Sequence, residues 1–263
     1  MTRAFRLRVP ASIANLGPGF DVLAMAVDLW LTVEARPSAS PDWRFEGADP
    51  PPGHPFEQLL YRGKVKSSIP LGVGLGSSAA ARVAALRLGG VSEVDLLATA
   101  SAAEGHPDNV AAAIHGGLVA VVEGRVHHLP VPDLEIALFV AGEPTPTEEA
   151  RAVLARQVPR EDAVHNAGRL ALLVHTLHTR DWALLKSAME DRLHQPARSV
   201  LYPWLGEVLE SAYSAGAWGA ALAGAGPSVF AFSRRGRALD VAERMAAAAG
   251  CPGIPLTTRI ATF

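Results

Sequence analysis

Short apolar runs alternate with longer stretches along the chain, and the two kinds of stretch differ in periodicity. The short runs are rich in Val, Ile, Leu and Phe and have the length of strands, whereas the longer stretches repeat apolar residues at helical spacing. Strands are predicted over residues 5–9, 27–35, 118–123, 135–141, 228–233 and 254–260. This mixture predicts an α+β or α/β fold.

The longer stretches predict five helices. The clearest is alanine-rich, begins at Ser77 and ends after Leu88 at two glycines, which are a common helix stop. A second helix has Ser92 as its candidate N-cap and reaches Glu104 before a His-Pro pair interrupts it. Three further helices are predicted over residues 147–157, 162–178 and 182–194.

Two proline-containing stretches divide this pattern. Residues 37–53 combine Pro, Ser, Ala and Asp, which predicts an exposed connection that serves as a lid or an insertion. Prolines also flank Val131, and we place a boundary there between a first lobe, residues 1–130, and a second lobe, residues 131–263.

The composition mainly excludes certain classes of protein and of binding surface. With 263 residues, of which 49% are hydrophobic, the chain can bury the core of one large domain or two fused lobes. Lys and Arg number 24 against 26 Asp and Glu, so we expect no nucleic-acid surface and no polybasic membrane patch. The single cysteine, Cys251, excludes a disulfide framework within the chain, and no apolar segment reaches the roughly 20 residues of a membrane span. We therefore expect a cytoplasmic protein.

A glycine-rich stretch that leads into the first predicted helix is the most informative part of the sequence. Its alternate glycines permit a tight bend and let the backbone approach an anion closely. The helix that follows directs unpaired N–H groups and the positive end of its dipole to the same place, and two serines add hydroxyls suited to phosphate or Mg²⁺. The stretch predicts an ATP-phosphate site over Pro70, Leu71, Gly72, Val73, Gly74, Leu75, Gly76, Ser77, Ser78, Ala79 and Ala80.

Two better-known glycine loops do not fit this spacing. A P-loop has lysine after its last glycine, whereas Ser77 follows Gly76 here. A dinucleotide fingerprint has glycine at the sixth position counted from Gly72, and Ser77 occupies that position. A strand-to-helix turn whose glycines only serve packing is the other alternative, and the run of small residues with two serines favours phosphate over it.

Two other segments gather polar side chains. Asn15 and Asp21 flank a glycine-containing turn, and Glu104, Asp108 and Asn109 lie at a helix break. Because Mg²⁺ prefers oxygen ligands, Glu104 is the candidate metal ligand. The alternative interpretations are a solvated helix end for Glu104 and a plain helix N-cap for Asp108.

Two arginines are candidates for binding an acidic group. Arg151 lies in a predicted helix that opens with Thr147, and Arg198 follows another helix. The planar guanidinium suits a carboxylate or a phosphate, although most exposed arginines have no such role. His175 and His178 are three residues apart, as metal ligands can be, but without a third ligand nearby we interpret them as ordinary surface or packing residues.

In this order, the segments resemble those of the GHMP kinases, the superfamily of galactokinase, homoserine kinase, mevalonate kinase and phosphomevalonate kinase. Several segments are similar to the homoserine-kinase members in particular, and the resemblance covers nearly the whole chain. It rests on residues 10–21, 70–80 and 223–228 for the three superfamily motifs, and on residues 104–109, 147–151 and 196–198 for the homoserine-kinase members.

The resemblance implies a two-lobed α+β fold. A lobe like domain 2 of ribosomal protein S5 would be followed by a ferredoxin-like α/β lobe, with a left-handed β-α-β unit around the ATP loop. The implied reaction is Mg²⁺-dependent transfer of the γ-phosphoryl group of ATP to the hydroxyl of L-homoserine, a step toward threonine. A homodimer is expected on the same ground.

The resemblance also implies a role for each matched side chain. Charged and amide groups would hold the amino acid, while oxygen ligands would hold the metal. The implied roles are Asn15 and Asp21 for the amino group, Arg151 and Arg198 for the carboxylate, Thr147 elsewhere in the substrate site, Asn109 for the hydroxyl, Ser78 and Glu104 for Mg²⁺, and Asp108 as an open alternative for a catalytic base.

Two features depart from the family pattern. Ile13 stands where the first motif commonly has serine, and residues 61–69 are much shorter than the helix and strand that usually precede the phosphate loop, which affects the adenine pocket. The rival interpretations are a kinase for another small alcohol such as mevalonate, a non-catalytic nucleotide-binding protein on the same fold and, most distantly, a dehydrogenase.

Overall fold

Two β-sheets organise the chain in a computed structural model that describes residues 4–46 and 52–263. The strands are β1 (Phe5–Asn15), β2 (Gly19–Pro37), β3 (Asp42–Glu46), β4 (Tyr61–Ser67), β5 (Leu118–Val122), β6 (Arg125–Leu129), β7 (Glu135–Ala141), β8 (Gly219–Leu222), β9 (Val229–Ser233) and β10 (Gly253–Thr258).

The helices differ widely in length, from single turns to 20 residues. Within the two described ranges, no helix combines the length and the apolar character that crossing a bilayer requires. The helices are α1 (Ser77–Leu88), α2 (Glu93–Glu104), α3 (Asp108–His115), α4 (Thr147–Ala152), α5 (Arg160–Thr179), α6 (Leu185–Ala188), α7 (Gln195–Arg198), α8 (Leu205–Ser214) and α9 (Ala238–Ala248).

The first sheet is built around β2, which is 19 residues long. One edge of β2 pairs with β1, and the other edge pairs with β4 at residues 31–37 and with β5 at residues 23–25. β3 and β6 lie outside β4 and β5. α1 and α3 pack against β1 and β2, and α3 can approach the strands closely because Ala111, Ala112 and Ala113 are small and fully buried.

The second sheet has the order β10-β7-β9-β8 and is antiparallel. Both faces of β7 are covered: Phe139 packs in a cluster with α8 and α9, whereas Leu138 packs in the main core. A strand covered on both faces is apolar at successive positions, which explains its continuous apolar run.

One hydrophobic core connects the two sheets. It contains Ile13 of β1, Met25 of β2, Leu138 of β7 and Phe230 of β9. The boundary predicted near Val131 falls between the last strand of the first sheet and the first strand of the second. Because the core continues across this point, the division into two lobes stays a prediction.

Most predicted elements are present, often with longer bounds. The six predicted strands correspond to β1, β2, β5, β7, β9 and β10, and α1 has the predicted bounds. Ser92 caps α2, since its Oγ accepts the N–H of Asp95 at 3.2 Å. The helix predicted over residues 147–157 ends earlier, at Ala152.

The prediction of a single helix over residues 182–194 is wrong. A 3₁₀ turn and α6 are followed by an irregular segment before α7 begins. The carboxylate of Asp191 accepts the backbone N–H groups of Leu193, His194 and Gln195. These bonds compete with those of a continuous helix and begin a new one.

Several elements were not predicted, namely α3, α8, α9, β3, β4, β6 and β8. β4 was hidden by its composition, because Val65 is its one fully covered residue and basic side chains dominate the rest. β3 lies inside the predicted exposed connection, where Trp43 and Phe45 pack against the core. Residues 47–51 of that connection lie outside the described residues, and the lid interpretation stays a prediction.

Candidate active site

One cleft collects most of the polar residues singled out from the sequence. It lies where the phosphate loop, residues 70–80, meets the turn between β1 and β2, the start of α3, and the loops that precede α4 and follow β8. Its lining residues are Ala14, Asn15, Asp21, Gly72, Gly74, Gly76, Ser77, Ser78, Ala79, Glu104, His106, Asp108, Asn109, Thr145, Thr147, Arg151, Arg198, Gly224 and Ala225.

The phosphate loop has the backbone that its glycines predict. Gly72, Gly74 and Gly76 have φ angles of 70°, 83° and 67°, in the left-handed region that favours glycine. A Cβ on Gly74 would lie 2.2 Å from the carbonyl oxygen of Ala223. The turn at residues 223–228 therefore packs directly against the loop and supports it.

The side chains of the phosphate loop divide between the cleft and the core. Val73, Leu75 and Ala80 are buried, and the carbonyl groups of Val73 and Leu75 accept N–H groups of Ser228 and Ser12 at 3.3 and 3.1 Å. Pro70 and Leu71 are not among the cleft-lining residues. Val73, Leu75 and Ala80 therefore support the loop, Leu71 is exposed, and the glycines with residues 77–79 line the cleft.

The N-terminus of α1 is open to an anion. Gly76 is the N-cap and supplies no side chain, and the first turn contains no acidic residue. The first N–H groups of an α-helix have no intrahelical acceptor and carry partial positive charge. The cleft therefore offers phosphate a set of oriented backbone donors.

Glu104, at the end of α2, faces the start of α1. Its Oε1 accepts the Ser78 hydroxyl at 2.8 Å and the Arg82 Nε–H at 2.7 Å. Arg82 reaches this carboxylate because it lies one helical turn after Ser78. Both contacts use Oε1, which leaves Oε2 as a ligand, and a carboxylate beside a hydroxyl fits a Mg²⁺ whose other ligands are phosphate and water. In residues 4–46 and 52–263, no three His, Cys, Asp or Glu side chains cluster as a self-sufficient metal site.

α3 begins at Asp108, which is buried and is the first helical residue after the N-cap Pro107. Its Oδ1 accepts the His106 Nδ1–H at 2.9 Å and the N–H of Asn109 at 2.7 Å. The hydrogen bond to Asp108 raises the pKa of His106. Asn109 Oδ1 accepts the Ser12 hydroxyl at 2.8 Å, so the Asn109 amide nitrogen keeps its two donors.

At the other end of the cleft, Arg151 and Asp21 form a two-pronged ion pair. The Nη1···Oδ2 and Nη2···Oδ1 distances are 3.1 and 2.6 Å. The hydrogen bond to Asp21 raises the pKa of Arg151. Asn15 braces the turn, since its Oδ1 accepts the N–H of Asp21 at 3.1 Å and its Nδ2 donates to Gly224 O at 2.8 Å.

Arg198 lies beside this pair and is 1% exposed. Its Nε donates to Ala150 O, and its Nη1 donates to Gly224 O, both at 3.1 Å. The guanidinium groups of Arg198 and Arg151 lie 5.5 and 5.6 Å from the ring centroid of Phe20. Thr147, the first residue of α4, lines the cleft next to them. This end therefore combines two cations with one carboxylate.

Known proteins are similar to this chain over nearly its whole length. The model for the N-terminal domain of GHMP kinases matches residues 54–117, and the model for their C-terminal part matches residues 173–250. A homoserine kinase of Thermus thermophilus is 38% identical over 97% of this chain and 96% of its own length. A homoserine kinase of Moorella thermoacetica is 39% identical over 96% and 95%. The chain belongs to the homoserine kinase family.

A solved structure supports the same family. The crystal structure of homoserine kinase from Cytophaga hutchinsonii matches with a TM-score of 0.85 at 30% identity, over 99% of this chain and 96% of that one. The predicted GHMP kinase fold is thereby confirmed. Members of this family are ATP-dependent kinases that act on an alcohol, which argues against the dehydrogenase and non-catalytic alternatives.

Several residues near or lining the cleft were not singled out as site residues from the sequence. His106 and Thr145 line the cleft, and the Thr145 N–H donates to Gly72 O at 3.1 Å. Arg82 had a signal, since it stands four residues after Ser78 on a predicted helix. Gly224 and Ala225 lie in a segment that was named only as a motif.

A second, largely apolar cleft adjoins the phosphate loop. It shares Ser77 with the first cleft and lies on the far side of the loop, between β2, β3, β4 and α1. Its lining includes aromatic and aliphatic side chains from these elements. The lining residues are Leu31, Phe45, Glu46, His54, Val65, Ser67, Ile69, Leu71, Ser77 and Ala81.

Proposed function

We propose that this member of the homoserine kinase family transfers the γ-phosphoryl group of ATP to the side-chain hydroxyl of L-homoserine, giving O-phospho-L-homoserine and ADP. One observation carries the proposal: Asp21, Arg151 and Arg198 place opposite charges at one end of a cleft whose other end is a phosphate loop. Relatives at 36–39% identity that bear the name homoserine kinase support it.

The charges at the amino-acid end suit a zwitterion. The Asp21 carboxylate now lies in the fork of Arg151, where a substrate carboxylate can replace it with the help of Arg198. Asp21 would then accept the substrate's ammonium group beside Asn15, so that no buried charge stays unpaired. Mevalonate carries a carboxylate but no ammonium group, and its binding would leave Asp21 without a cation.

The phosphate end suits Mg-ATP. Backbone N–H groups of the phosphate loop would bind the phosphates, and Ser78 with Glu104 would hold Mg²⁺. When bound, Mg²⁺ neutralises charge that develops on the phosphates during transfer. Arg82 donates to the same Glu104 oxygen as the Ser78 hydroxyl, so its positive charge competes with Mg²⁺ for this carboxylate.

Transfer depends mainly on alignment, because phosphoryl transfer has a loose transition state. The substrate oxygen forms a bond to the γ-phosphorus as the bond from that phosphorus to ADP breaks. The amide nitrogen of Asn109 would orient the acceptor hydroxyl. The hydroxyl proton leaves to a phosphate oxygen. Asp108 is the alternative acceptor, since its donors among the described residues, His106 Nδ1–H and the Asn109 N–H, both bind Oδ1.

The apolar cleft beside the loop suits the adenine base. Leu31, Phe45, Val65 and Leu71 offer apolar and aromatic surface next to Ser77, which also lines the first cleft. β3 and β4 would thus form the adenine pocket in place of the longer segment that the family pattern has before the phosphate loop.

A coupled ADP-release assay tests the proposed function. The acceptors are L-homoserine, 3-aminopropan-1-ol, which lacks the carboxylate, 4-hydroxybutanoate, which lacks the ammonium group, mevalonate, galactose and a blank without acceptor. We expect kcat/KM for homoserine to exceed that for each analogue by at least about 10-fold, since each lost charge pair contributes about 1.5–3 kcal/mol. Equal rates with homoserine and mevalonate would contradict the proposal.

A further inference from the structure

His194 joins the two halves of the amino-acid end of the cleft. Its side chain is fully buried, its Nδ1 lies 3.0 Å from Arg198 Nη1, and its Nε2 lies 2.9 Å from Gly17 O. Gly17 belongs to the turn that carries Asn15 and Asp21. The ring therefore cross-links the turn that would bind the ammonium group to the arginine that would bind the carboxylate.

The partners of His194 fix its tautomer. Arg198 has only donors, so Nδ1 must be the unprotonated acceptor. Gly17 O is only an acceptor, so Nε2 must carry the hydrogen. Burial lowers the pKa of His194, and this keeps the ring neutral, as both partners require.

A buried carboxylate fixes the backbone of His194. Asp191 accepts the N–H groups of Leu193, His194 and Gln195 at 2.9, 3.0 and 2.7 Å, and Asn166 Nδ2 donates to it at 2.7 Å. Burial alone would raise the pKa of Asp191, but the hydrogen bonds from Asn166 and from the backbone of Gln195 and Leu193 lower it. The carboxylate thus begins α7 at a defined position, and the spacing of four residues places the His194 ring next to Arg198.

The remaining contacts of Arg198 leave one donor group for a ligand. Nε and Nη1 donate to Ala150 O, Gly224 O and His194 Nδ1, and all three acceptors are neutral. Among the described residues, Nη2 has no hydrogen-bond partner within the protein. Phe20 stacks on the His194 ring with a centroid distance of 5.3 Å and so covers its face.

We infer that His194 is a positioning residue, which accepts a hydrogen bond from Arg198 Nη1 and thereby holds the guanidinium in the orientation that receives the substrate carboxylate. The inference rests on the proposed function. His194 itself touches no substrate. It acts on amino-acid affinity through Arg198 and leaves the nucleotide end of the cleft unchanged.

Two substitutions at the same position separate positioning from packing. In His194→Asn the side-chain oxygen can take the place of Nδ1 and accept from Arg198, whereas in His194→Gln the terminal amide can take the place of Nε2 and donate to Gly17 O. Both variants lose the ring and its packing against Phe20. A merely structural role predicts similar effects for the two variants.

We expect KM for homoserine to rise about tenfold or more in His194→Gln and less than about threefold in His194→Asn, with KM for ATP unchanged in both. The Tm of thermal unfolding should fall by similar amounts in the two variants. Equal KM values in the two variants would overturn the inference. If the wild type shows no homoserine-dependent ADP release, the proposed function fails instead.

A second measurement uses the unaltered protein and holds even if neither variant folds. Two-bond ¹H–¹⁵N correlation spectra of ¹⁵N-histidine-labelled enzyme report the tautomer of each imidazole. We expect a buried histidine that stays in the neutral Nε2–H form as the pH falls below 6.5, the ordinary histidine pKa. Absence of such a ring, or protonation of Nδ1, would overturn the inference.

Discussion

The phosphate end of the cleft presents backbone to its ligand, whereas the amino-acid end presents side chains. At the phosphate end, the N–H groups of a glycine loop and of α1 come from one continuous segment. At the amino-acid end, Asp21, Arg151 and Arg198 come from β2, α4 and α7 and are held by long-range hydrogen bonds. Binding at the phosphate end depends on the conformation of the backbone. Binding at the amino-acid end depends on the charge and orientation of side chains.

The two ends tolerate different kinds of substitution. A backbone site loses its function when a Cβ prevents the left-handed turn, but it is insensitive to most changes of charge nearby. A side-chain site tolerates small backbone shifts but depends on each charged partner, because an unpaired buried charge is costly. The two ends should therefore respond to different kinds of substitution.

The largest effect should come from Gly74→Ala. A Cβ there would lie 2.2 Å from Ala223 O and 2.8 Å from Gly226 O, at a φ of 83°. Since backbone atoms on both sides must move, we expect kcat/KM for ATP to fall by at least about 100-fold. The measurement is steady-state kinetics with ATP varied.

Gly90→Ala is the matched control for that change. Gly90 has the same φ of 83°, but a Cβ there would meet nothing within 4 Å. It should cost about 1–2 kcal/mol of stability through the left-handed backbone alone and leave the KM for ATP unchanged. Equal losses in the two variants would mean that packing between the two loops is irrelevant.

The next effect concerns the amino-acid end. Arg151→Met keeps an unbranched, largely apolar side chain but removes the fork that Asp21 now fills. We expect the KM for homoserine to rise about 10- to 100-fold, because a charge-assisted pair contributes about 1.5–3 kcal/mol, with the KM for ATP unchanged. Arg192→Met, at a half-exposed ion pair with Asp162, should change neither constant. A parallel rise in both KM values would contradict the separation of the two ends.

A smaller effect with a definite sign is expected from Arg82→Met. Removing the cation that lies 2.7 Å from Glu104 Oε1 leaves the carboxylate more negative, so Mg²⁺ should bind more tightly. We expect the Mg²⁺ concentration for half-maximal activity, and the Kd of Mn²⁺ followed by electron paramagnetic resonance, to fall about threefold.

Arg87→Met on the same helix is the control, because Arg87 pairs with the exposed Glu93. It should leave both metal constants unchanged. A higher metal requirement in Arg82→Met would show that Arg82 holds Glu104 in place for the metal and does not compete with it.

The smallest effect should appear in the pH dependence of stability. The pKa of His106 is raised by its bond to Asp108, so this pair stabilises the fold fully below the ordinary value of 6.5 and loses that contribution as the pH rises through the raised pKa. His106→Gln should therefore flatten the fall in the free energy of unfolding above pH 6.5. Urea unfolding at a series of pH values measures it, with exposed His178→Gln as the control. A steeper fall in the His106 variant would refute the assignment.

The two ends also differ in how well a sequence predicts them. The bounds of α1 and the tight turns of the loop were predicted, because helix signals and glycine spacing are local and Gly74 and Gly76 need their special backbone. Asn15, Asp21, Arg151 and Arg198 were candidates from the sequence alone, but their roles were assigned only through family resemblance. The network of His194 and Asp191 was hidden, since its apolar surroundings at residues 182–194 resemble an ordinary helix and nothing local predicts burial of the charges.

Physical reasons also account for the elements that were not predicted. β4 alternates basic residues and is covered at one position, and α3 is a short alanine-rich helix that follows a proline break. Pairing with β2 stabilises β4, and packing on β1 stabilises α3. Both contacts join residues that are distant in sequence. The homodimer and the division into two lobes stay predictions.

The most direct test of this account is a crystal structure of the enzyme with a non-hydrolysable ATP analogue, Mg²⁺ and L-homoserine. We predict phosphate oxygens within hydrogen-bond distance of the backbone nitrogens between Gly72 and Ser78, with the homoserine carboxylate on Arg151 and Arg198 and its ammonium group on Asp21. Phosphates bound away from the phosphate loop, or an amino acid bound in the reverse orientation, would contradict it.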